Sequence, residues 1–249
     1  QSRTDSDASR LQPASRHAGG AWRHHKGVSG DLRSSDVMVR VMGVLLSALL
    51  VLAGSQSVAA AEQTAVFAGG CFWCLEHDLE HLPGVIDAIS GYSGGHVDQP
   101  TYRQVSGEDT GHQEAVQVRF DPAVISYSTL LRSYWRNVDP FDGGGQFCDR
   151  GDSYRPVIFT ADAAQAQAAE SSAAAAAQDL GRSRSAIKVE LRGSAPFWPA
   201  EDYHQNYAEL NDLKYSFYRF SCGRDRRLDA VWGSQARTGG SWQKVAELE

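Results

Sequence analysis

Apolar and polar positions follow two periods along the chain, one typical of strands and one typical of helices. Alternating or short continuous apolar runs predict five strands, at 64–69, 85–95, 114–122, 155–160 and 186–192. Helical spacing or a strongly helical composition predicts four helices, at 71–82, 127–138, 161–181 and 202–211. Because strands and helices alternate without a repeating unit, the pattern predicts a single two-layer α+β sandwich domain, followed by an irregular C-terminal tail.

Local signals agree with two of these helix boundaries. Ser126 precedes the helix at 127–138 and is a favoured N-cap residue, because its hydroxyl can accept a hydrogen bond from a first-turn N–H. Gly181 closes the Ala-rich helix at 161–181, and glycine readily takes the left-handed conformation that ends many helices. We therefore expect these helices to begin and end near the two residues.

The first 61 residues differ in composition from the rest of the chain. Residues 1–37 are rich in Ser, Arg, Gly and His and lack apolar periodicity, which predicts a disordered or artefactual leader. Residues 38–61 contain Arg40, an apolar run and small residues up to Ala61, an order typical of a signal peptide. The apolar run is shorter than the roughly 20 residues that a membrane-spanning helix needs. We therefore expect cleavage near Ala61 and export to the periplasm or outside the cell, with 62–249 as the folded domain.

The charge of residues 62–249 limits the classes of partner. The first 61 residues hold 7 of the 24 basic and 4 of the 30 acidic residues, so 62–249 carries a formal net charge of −9. An acidic surface disfavours binding to nucleic acid or to an anionic membrane. A length of 188 residues suits one domain, which we expect to act as a monomer.

Cys71 lies where a predicted strand meets a predicted helix, in the segment AGGCFWC at 68–74. Backbone N–H groups and the helix dipole at such a position stabilise a thiolate and lower the pKa of a cysteine. Phe72 and Trp73 follow, and as exposed aromatics they would surround an apolar substrate group. A buried structural cysteine is the alternative for a lone thiol, but the glycine pair, the helix start and the paired aromatics favour a nucleophile.

The four cysteines allow further interpretations. Cys71 and Cys74 form a C-x-x-C motif, which suits a general dithiol–disulfide oxidoreductase, although CFWC lacks the Gly-Pro-like spacer usual in thioredoxin-like proteins. Cys148 and Cys222 are isolated in sequence, so no zinc site is expected. Exported proteins often pair their cysteines in disulfides, so a disulfide-stapled binding domain stays open, above all for Cys148 and Cys222.

Five motifs occur along the chain in the order in which one known family has them. They are GGCFWC (69–74), GYSGGHVDQPTYRQV (91–105), TGHQEAV (110–116), GQFCDRGDSYRP (145–156) and FWPAEDYHQNY (197–207). Together they resemble methionine sulfoxide reductase A over residues 64–222. The tail YSFYRFSCGRDRRLDAVWG (215–233) resembles one branch of that family and differs from the branch whose recycling cysteines lie in a Gly-rich tail.

The resemblance implies a fold, an activity and a set of site residues. The implied fold has a βαβ-rich, ferredoxin-like core, and the implied activity is reduction of methionine S-sulfoxide, free or in peptides and proteins, with no bound cofactor. In the implied site, Cys71 is the nucleophile, and Phe72 and Trp73 hold the substrate methyl group. Tyr102, Glu114 and Tyr154 bind and protonate the sulfoxide oxygen. Asp149 supports substrate binding.

Elementary chemistry agrees with these roles. A thiolate can attack the sulfur of a sulfoxide only if the departing oxygen is hydrogen-bonded and protonated, and a positioned acid of raised pKa contributes about 10²–10⁴-fold to such a step. Glu114 begins an apolar strand, where burial would raise its pKa. Tyr102 and Tyr154 lie on Gly-rich loops from which their hydroxyls could reach a ligand. For His112 and His204, positioning or packing is favoured over direct chemistry.

The reaction leaves Cys71 as a sulfenic acid, which condenses with a second thiol. Cys222 is the first choice for this resolving thiol, because a mobile tail rich in arginine would bring it in as a thiolate. Cys148, beside Asp149, is the second choice, and Cys74 is disfavoured because a disulfide within the first helical turn would be strained. Recycling then requires a thioredoxin-fold reductant, which has to be exported like this chain.

Overall fold

The computed structural model describes residues 61–237, which all belong to one compact unit. The leader predicted at 1–37 and nearly all of the signal peptide predicted at 38–61 lie outside the described residues. The strands are β1 (Gln63–Ala68), β2 (Val85–Ser93), β3 (Gln113–Phe120), β4 (Gly145–Gln146), β5 (Asp149–Arg150), β6 (Val157–Thr160), β7 (Glu190–Gly193) and β8 (Phe197–Pro199). The α-helices are α1 (Phe72–Glu80), α2 (Tyr102–Ser106), α3 (Tyr127–Trp135), α4 (Ala163–Asp179), α5 (Tyr207–Leu210), α6 (Asp212–Cys222) and α7 (Arg224–Trp232).

Six strands form one sheet in the order β7-β6-β1-β3-β2-β8. Strands β6 and β7 pair in parallel, and every other neighbouring pair in this sheet is antiparallel. Strands β4 and β5 form a separate two-stranded sheet. The predicted mixed class of helices and strands is thereby confirmed, and all five predicted strands are present.

The two faces of the six-stranded sheet have different partners. Alternate residues such as Phe67 and Val116 belong to the main core together with apolar residues of α1, α3, α4 and α7. Residues of the opposite face, among them Ala68 and Phe159, form a smaller cluster with Phe197. This alternation follows from the two-residue period of a strand, and it places the ends of β1 and β3 against α1.

The predicted helix caps are confirmed. The side chain of Ser126 accepts a hydrogen bond from the N–H of Thr129 at the start of α3. Gly181 has a φ of +61° after the end of α4, in the left-handed region. The helix predicted at 202–211 is interrupted: a 3₁₀ turn at Asp202–His204 and the short α5 flank Asn206, which itself has a φ of +52°.

The prediction of an irregular C-terminal tail is wrong, because α6 and α7 occupy this region up to Trp232. Gly223 joins the two helices with a φ of +71°. The large apolar side chains of α6, Leu213, Phe217 and Phe220, are exposed, and two arginines tie the helices to the rest of the fold. Arg224 is 1 % exposed and donates to the carbonyl of Asn137, and Arg219 is paired with Asp78. The apolar residues of α6 do recur at helical spacing, so the sequence pattern could have predicted this helix.

Within residues 61–237, no helix has both the length and the apolar character needed to cross a membrane.

Candidate functional site

A tight turn between β1 and α1 positions the thiol of Cys71. Gly70 has a φ of +82°, and a side chain there would lie 2.7 Å from the Cβ of Gln146, so the turn requires glycine. Cys71 is the N-cap residue of α1, outside the helix, and is 6 % exposed. The sequence therefore places the thiol at a helix start, as expected, but the thiol is buried.

The pKa of the Cys71 thiol does not follow the sequence-based expectation. Burial raises this pKa well above its usual value, and hydrogen bonding with Cys74 and the nearby Glu114 raise it further. The N–H of Phe72 in the first turn of α1 donates to Glu114 at 3.0 Å. The pKa of Cys74 is lowered by its hydrogen bond with Cys71 and by Arg224. The expectation that the pKa of Cys71 is lowered is thus wrong for the buried free thiol, because desolvation outweighs the helix dipole.

Glu114 lies beside Cys71 and is suited to hold a proton. It is 3 % exposed, and burial raises its pKa to about 8, which confirms the expected direction of the shift. Because the N–H of Phe72 occupies Oε2, Oε1 is the oxygen that can carry and donate the proton. At neutral pH the Glu114 carboxyl group is therefore protonated and neutral in most molecules.

Two tyrosine hydroxyls accompany this acid. Tyr102 begins α2 and Tyr154 ends a 3₁₀ turn at Asp152–Tyr154, rather than lying in irregular loops. The two tyrosines interact with each other, and both interact electrostatically with Glu114. Burial raises the pKa of both phenols, so each stays a hydrogen-bond donor.

An aromatic group closes the other side of the site. Phe72 is 1 % exposed and Trp73 is half-buried, so the expectation that both are exposed is wrong for Phe72, which packs into the main core. The indole N–H of Trp73 donates to Nδ1 of His204 at 3.1 Å, and its ring stacks on Tyr207 at 3.7 Å. The His204 ring lies 4.6 Å from Tyr102. His204 thus connects the aromatic and the phenol side of the site, as a positioning residue would.

His112 lies in the neighbouring loop and is occupied by backbone groups. Its Nδ1 accepts from the N–H of Gly95 at 3.1 Å, and its Nε2 is 2.9 Å from the carbonyl oxygen of Val97, to which it donates. Both ring nitrogens therefore hold the glycine loop after β2. This agrees with the packing role that was favoured over chemistry.

Tyr218 and Glu201 contact the site although sequence reasoning did not select them. The hydroxyl of Tyr218 on α6 donates to Asp149 at 2.6 Å, and Tyr218 lies close enough to Cys71 to influence the pKa of its thiol. Glu201 accepts from the backbone N–H of Tyr102 at 2.9 Å and fixes the start of α2. A helical reading of the tail would have pointed to Tyr218, since it precedes Cys222 by one turn.

The four cysteines divide into a buried pair and a bonded pair. Cys71 and Cys74 are free and buried. Cys148 and Cys222 form a disulfide with a Cα–Cα distance of 4.9 Å. Tyr218 and Asp149 lie between this disulfide and Cys71. Asp149 follows Cys148 in the chain, and Tyr218 precedes Cys222 by one turn of α6. Cys222 is not in a mobile tail as expected, and its resolving role stays a prediction.

A buried cysteine, a carboxylic acid that is neutral at neutral pH, two phenol donors and a group of packed aromatic rings together indicate a class of enzyme. This class uses a thiol nucleophile on a substrate whose leaving atom must be protonated. Residues 63–236 match the family model for peptide methionine sulfoxide reductase, and the chain belongs to this family.

Relatives and a solved structure agree with the A branch of the family. The chain is 50% identical over 198 residues to "Peptide methionine sulfoxide reductase MsrA 2" of Caulobacter vibrioides, covering 79% of this chain and 100% of that protein. It is 43% identical over 203 residues to the protein of the same name from Rhizobium meliloti, covering 81% and 98%. Methionine sulfoxide reductase A of Corynebacterium diphtheriae has a similar fold, with a TM-score of 0.57, 31% identity and coverage of 64% and 80%.

Proposed function

We propose that this chain reduces methionine S-sulfoxide to methionine, with Cys71 as the nucleophile and Glu114 as the proton donor. The observation that carries the proposal is the hydrogen bond from the N–H of Phe72 to Glu114 at 3.0 Å, which holds an acid with a pKa of about 8 near the buried thiol of the preceding residue, Cys71. The preference for the S epimer rests on the family alone. Substrates would be oxidised proteins, peptides or free methionine sulfoxide.

In the first step the sulfur of Cys71 attacks the sulfoxide sulfur while Glu114 protonates the oxygen. Tyr102 and Tyr154 would donate hydrogen bonds to the same oxygen, which stabilises the charge that develops on it. Phe72 and Trp73 would hold the substrate methyl group, and the half-buried Trp73 provides the accessible surface. Asp149 would support this network through Tyr218.

Collapse of the intermediate releases methionine and transfers the oxygen to Cys71 as a sulfenic acid. Two electrons pass from the thiol to the substrate sulfur, and Glu114 regains the proton that the Cys71 thiol gives up. The thiol of Cys222 then attacks the sulfenic sulfur, so that water leaves and a Cys71–Cys222 disulfide forms.

The Cys148–Cys222 disulfide is compatible with a later step of this proposed sequence. Attack of the Cys148 thiol on Cys222 would release Cys71 as a thiol and leave a Cys148–Cys222 disulfide. This exchange moves the oxidised pair from the buried site to the surface, where Cys148 is exposed. An external dithiol can reach it there, which favours a thioredoxin-fold reductant and requires no bound cofactor.

Location and assembly are also part of the proposal. The pattern at 38–61 supports export to the periplasm or outside the cell, and the reductant would then be exported too. We propose a monomer, since the site is formed within one chain. The strand order β6-β1-β3-β2, with α1 and α3 as connections, supports the ferredoxin-like description of the core.

The test uses the purified chain with three substrates: the S and R epimers of a methionine sulfoxide peptide and a disulfide-containing protein. We expect reductant-dependent formation of methionine from the S epimer alone. Reduction of the disulfide substrate with both sulfoxides untouched would contradict the proposal and favour the general dithiol oxidoreductase. No turnover of any substrate by folded protein would favour a disulfide-stapled binding domain.

A further inference from the structure

Two histidines and a glutamate converge on the surface away from the thiol site. His77 lies in α1, His81 follows it by one turn, and Glu209 lies in α5. Nδ1 of His77 is 2.8 Å from Oε1 of Glu209, and Nε2 of His81 is 3.9 Å from the same oxygen. One donor atom from each of the three residues lies within 4.8 Å of the other two.

The hydrogen bonding of His81 leaves its lone pair directed to this cluster. Nδ1 of His81 is 3.1 Å from the backbone carbonyl oxygen of His77, and a carbonyl can only accept, so Nδ1 carries the proton. The neutral ring therefore has its lone pair on Nε2, the atom nearest Glu209. A histidine whose second nitrogen is held by a carbonyl is the usual arrangement for metal ligands.

A further carboxylate adds negative charge to the cluster. Glu80, at the end of α1, interacts electrostatically with Glu209, His77 and His81. Its Oε2 is buried and has no hydrogen-bond partner in the structure. A cation at the cluster would offset the repulsion between Glu80 and Glu209 and would give this unpaired oxygen an electrostatic partner.

We propose that His77, His81 and Glu209 form a binding site for a divalent transition metal of the Zn²⁺, Ni²⁺ or Cu²⁺ class. Two imidazoles and a carboxylate are ligands that these metals favour, whereas Mg²⁺ and Ca²⁺ prefer oxygen alone. The metal would replace the proton between His77 and Glu209. All three side chains are accessible to solvent, so the ion needs no opening of the fold.

Metal binding would connect α1 to α5 and to the segment around it. Tyr207 of α5 stacks on Trp73, and Asn206 is already tied to α1 through Glu76. A ligand bridge at Glu209 would therefore restrain the aromatic side of the thiol site from outside. The proposed metal site does not depend on the proposed reductase chemistry.

The test is titration of the full chain with Zn²⁺, with the Cys148–Cys222 disulfide intact, followed through histidine ring signals in NMR and by calorimetry. We expect one equivalent of Zn²⁺ to shift the signals that disappear in His77→Ala and His81→Ala. Loss of a residue that only hydrogen-bonds to a metal ligand typically weakens metal binding by roughly 10–100-fold. Removing His77 or His81, which would be ligands themselves, should weaken Zn²⁺ binding by more than this. Glu209→Gln should weaken it as well, because it removes the negative charge.

The matched control is His96→Ala, which removes an exposed histidine outside the cluster and should bind Zn²⁺ like the parent. His17, His24 and His25 are shared by all variants, so differences between variants report on the cluster alone. Cobalt substitution provides a second readout: a sulfur-to-metal charge-transfer band would place the ion on cysteines. That band, or equal affinity in parent and His81→Ala, would overturn the proposal.

Discussion

Glu114 shows how one residue acquires its chemistry from its surroundings. Its carboxyl group is buried next to the Cys71 thiol, and burial raises its pKa to about 8. The sequence predicted the direction of this shift, since Glu114 begins an apolar strand. The sequence could not predict the pKa of Cys71, because a helix start alone does not tell whether the thiol is buried.

Replacing Glu114 with glutamine should slow the first chemical step by about 10²–10⁴-fold, since the amide cannot protonate the departing oxygen. Single-turnover methionine formation measures this step, and titration should show that the thiols are still present. Glu76→Gln is the control: Glu76 is another buried carboxyl, with a pKa of about 7, but it holds Ser90 and Asn206 instead of the site. Parent-like rates for Glu114→Gln at neutral pH would remove Glu114 from the acid role.

The same group predicts a pH dependence. Because the reactive form of Glu114 is the protonated one and its pKa is raised to about 8, the single-turnover rate should fall as the pH rises through about 8. In Glu114→Gln the single-turnover rate should no longer fall as the pH rises through about 8. A parent rate that is unchanged between neutral and alkaline pH would contradict the assignment.

Tyr102 and Tyr154 should act on the same oxygen. We expect Tyr102→Phe combined with Tyr154→Phe to reduce the single-turnover rate more than either change alone, because one phenol can partly replace the other. Single-turnover rates of the three variants measure this. A double variant no slower than the worse single variant would show that only one hydroxyl contacts the oxygen.

At the scale of elements, apolar runs located β1, β2, β3 and β6, because each contributes buried residues to the sheet. The run at 186–192 overlaps β7 only from Glu190 onward, since its buried residues Ile187 and Val189 precede the strand. The tail behaved differently. Helices α6 and α7 are held by the half-buried Arg219 and the buried Arg224, whose partners lie far away in sequence. Arg224 donates to the carbonyls of Gly69 and Asn137 and lies 4.5 Å over the ring of Phe147. This one side chain connects α7 to the turn that precedes Cys71.

Arg224→Met should therefore destabilise the fold by about 3 kcal/mol, since it leaves buried polar partners without a donor. Chemical denaturation followed by circular dichroism measures the free energy of unfolding. Arg226→Met is the matched control in the same helix, where the side chain is exposed and the change should be within about 0.5 kcal/mol. Equal stability of the two variants would show that α7 is not held through Arg224.

At the scale of the whole molecule, the four cysteines divide between the core and the surface. Cys71 and Cys74 are buried, whereas the Cys148–Cys222 disulfide has one exposed partner. Sequence spacing could not select this pairing, because 74 residues separate the two cysteines and three connectivities were open. The sequence also did not point to Tyr218, which donates to Asp149 and influences the pKa of Cys71.

Cys148→Ser should trap the step before the exchange. One equivalent of sulfoxide should then give a Cys71–Cys222 disulfide in peptide mapping, whereas the parent should end with Cys148–Cys222. Turnover with a thioredoxin-type donor should fall in Cys148→Ser, and dithiothreitol should restore much of it. A Cys71–Cys74 disulfide in either protein would instead assign the resolving role to Cys74.

The central claim is that the sulfur of Cys71 takes the oxygen from methionine sulfoxide. Its most direct test is the amount of methionine that Cys71→Ser forms from the S epimer with excess dithiothreitol, beside the parent and with circular dichroism as a check of folding. Serine is nearly isosteric with cysteine, so the variant should keep its fold and form methionine only at the background rate. Methionine formation well above background by folded Cys71→Ser would contradict the claim.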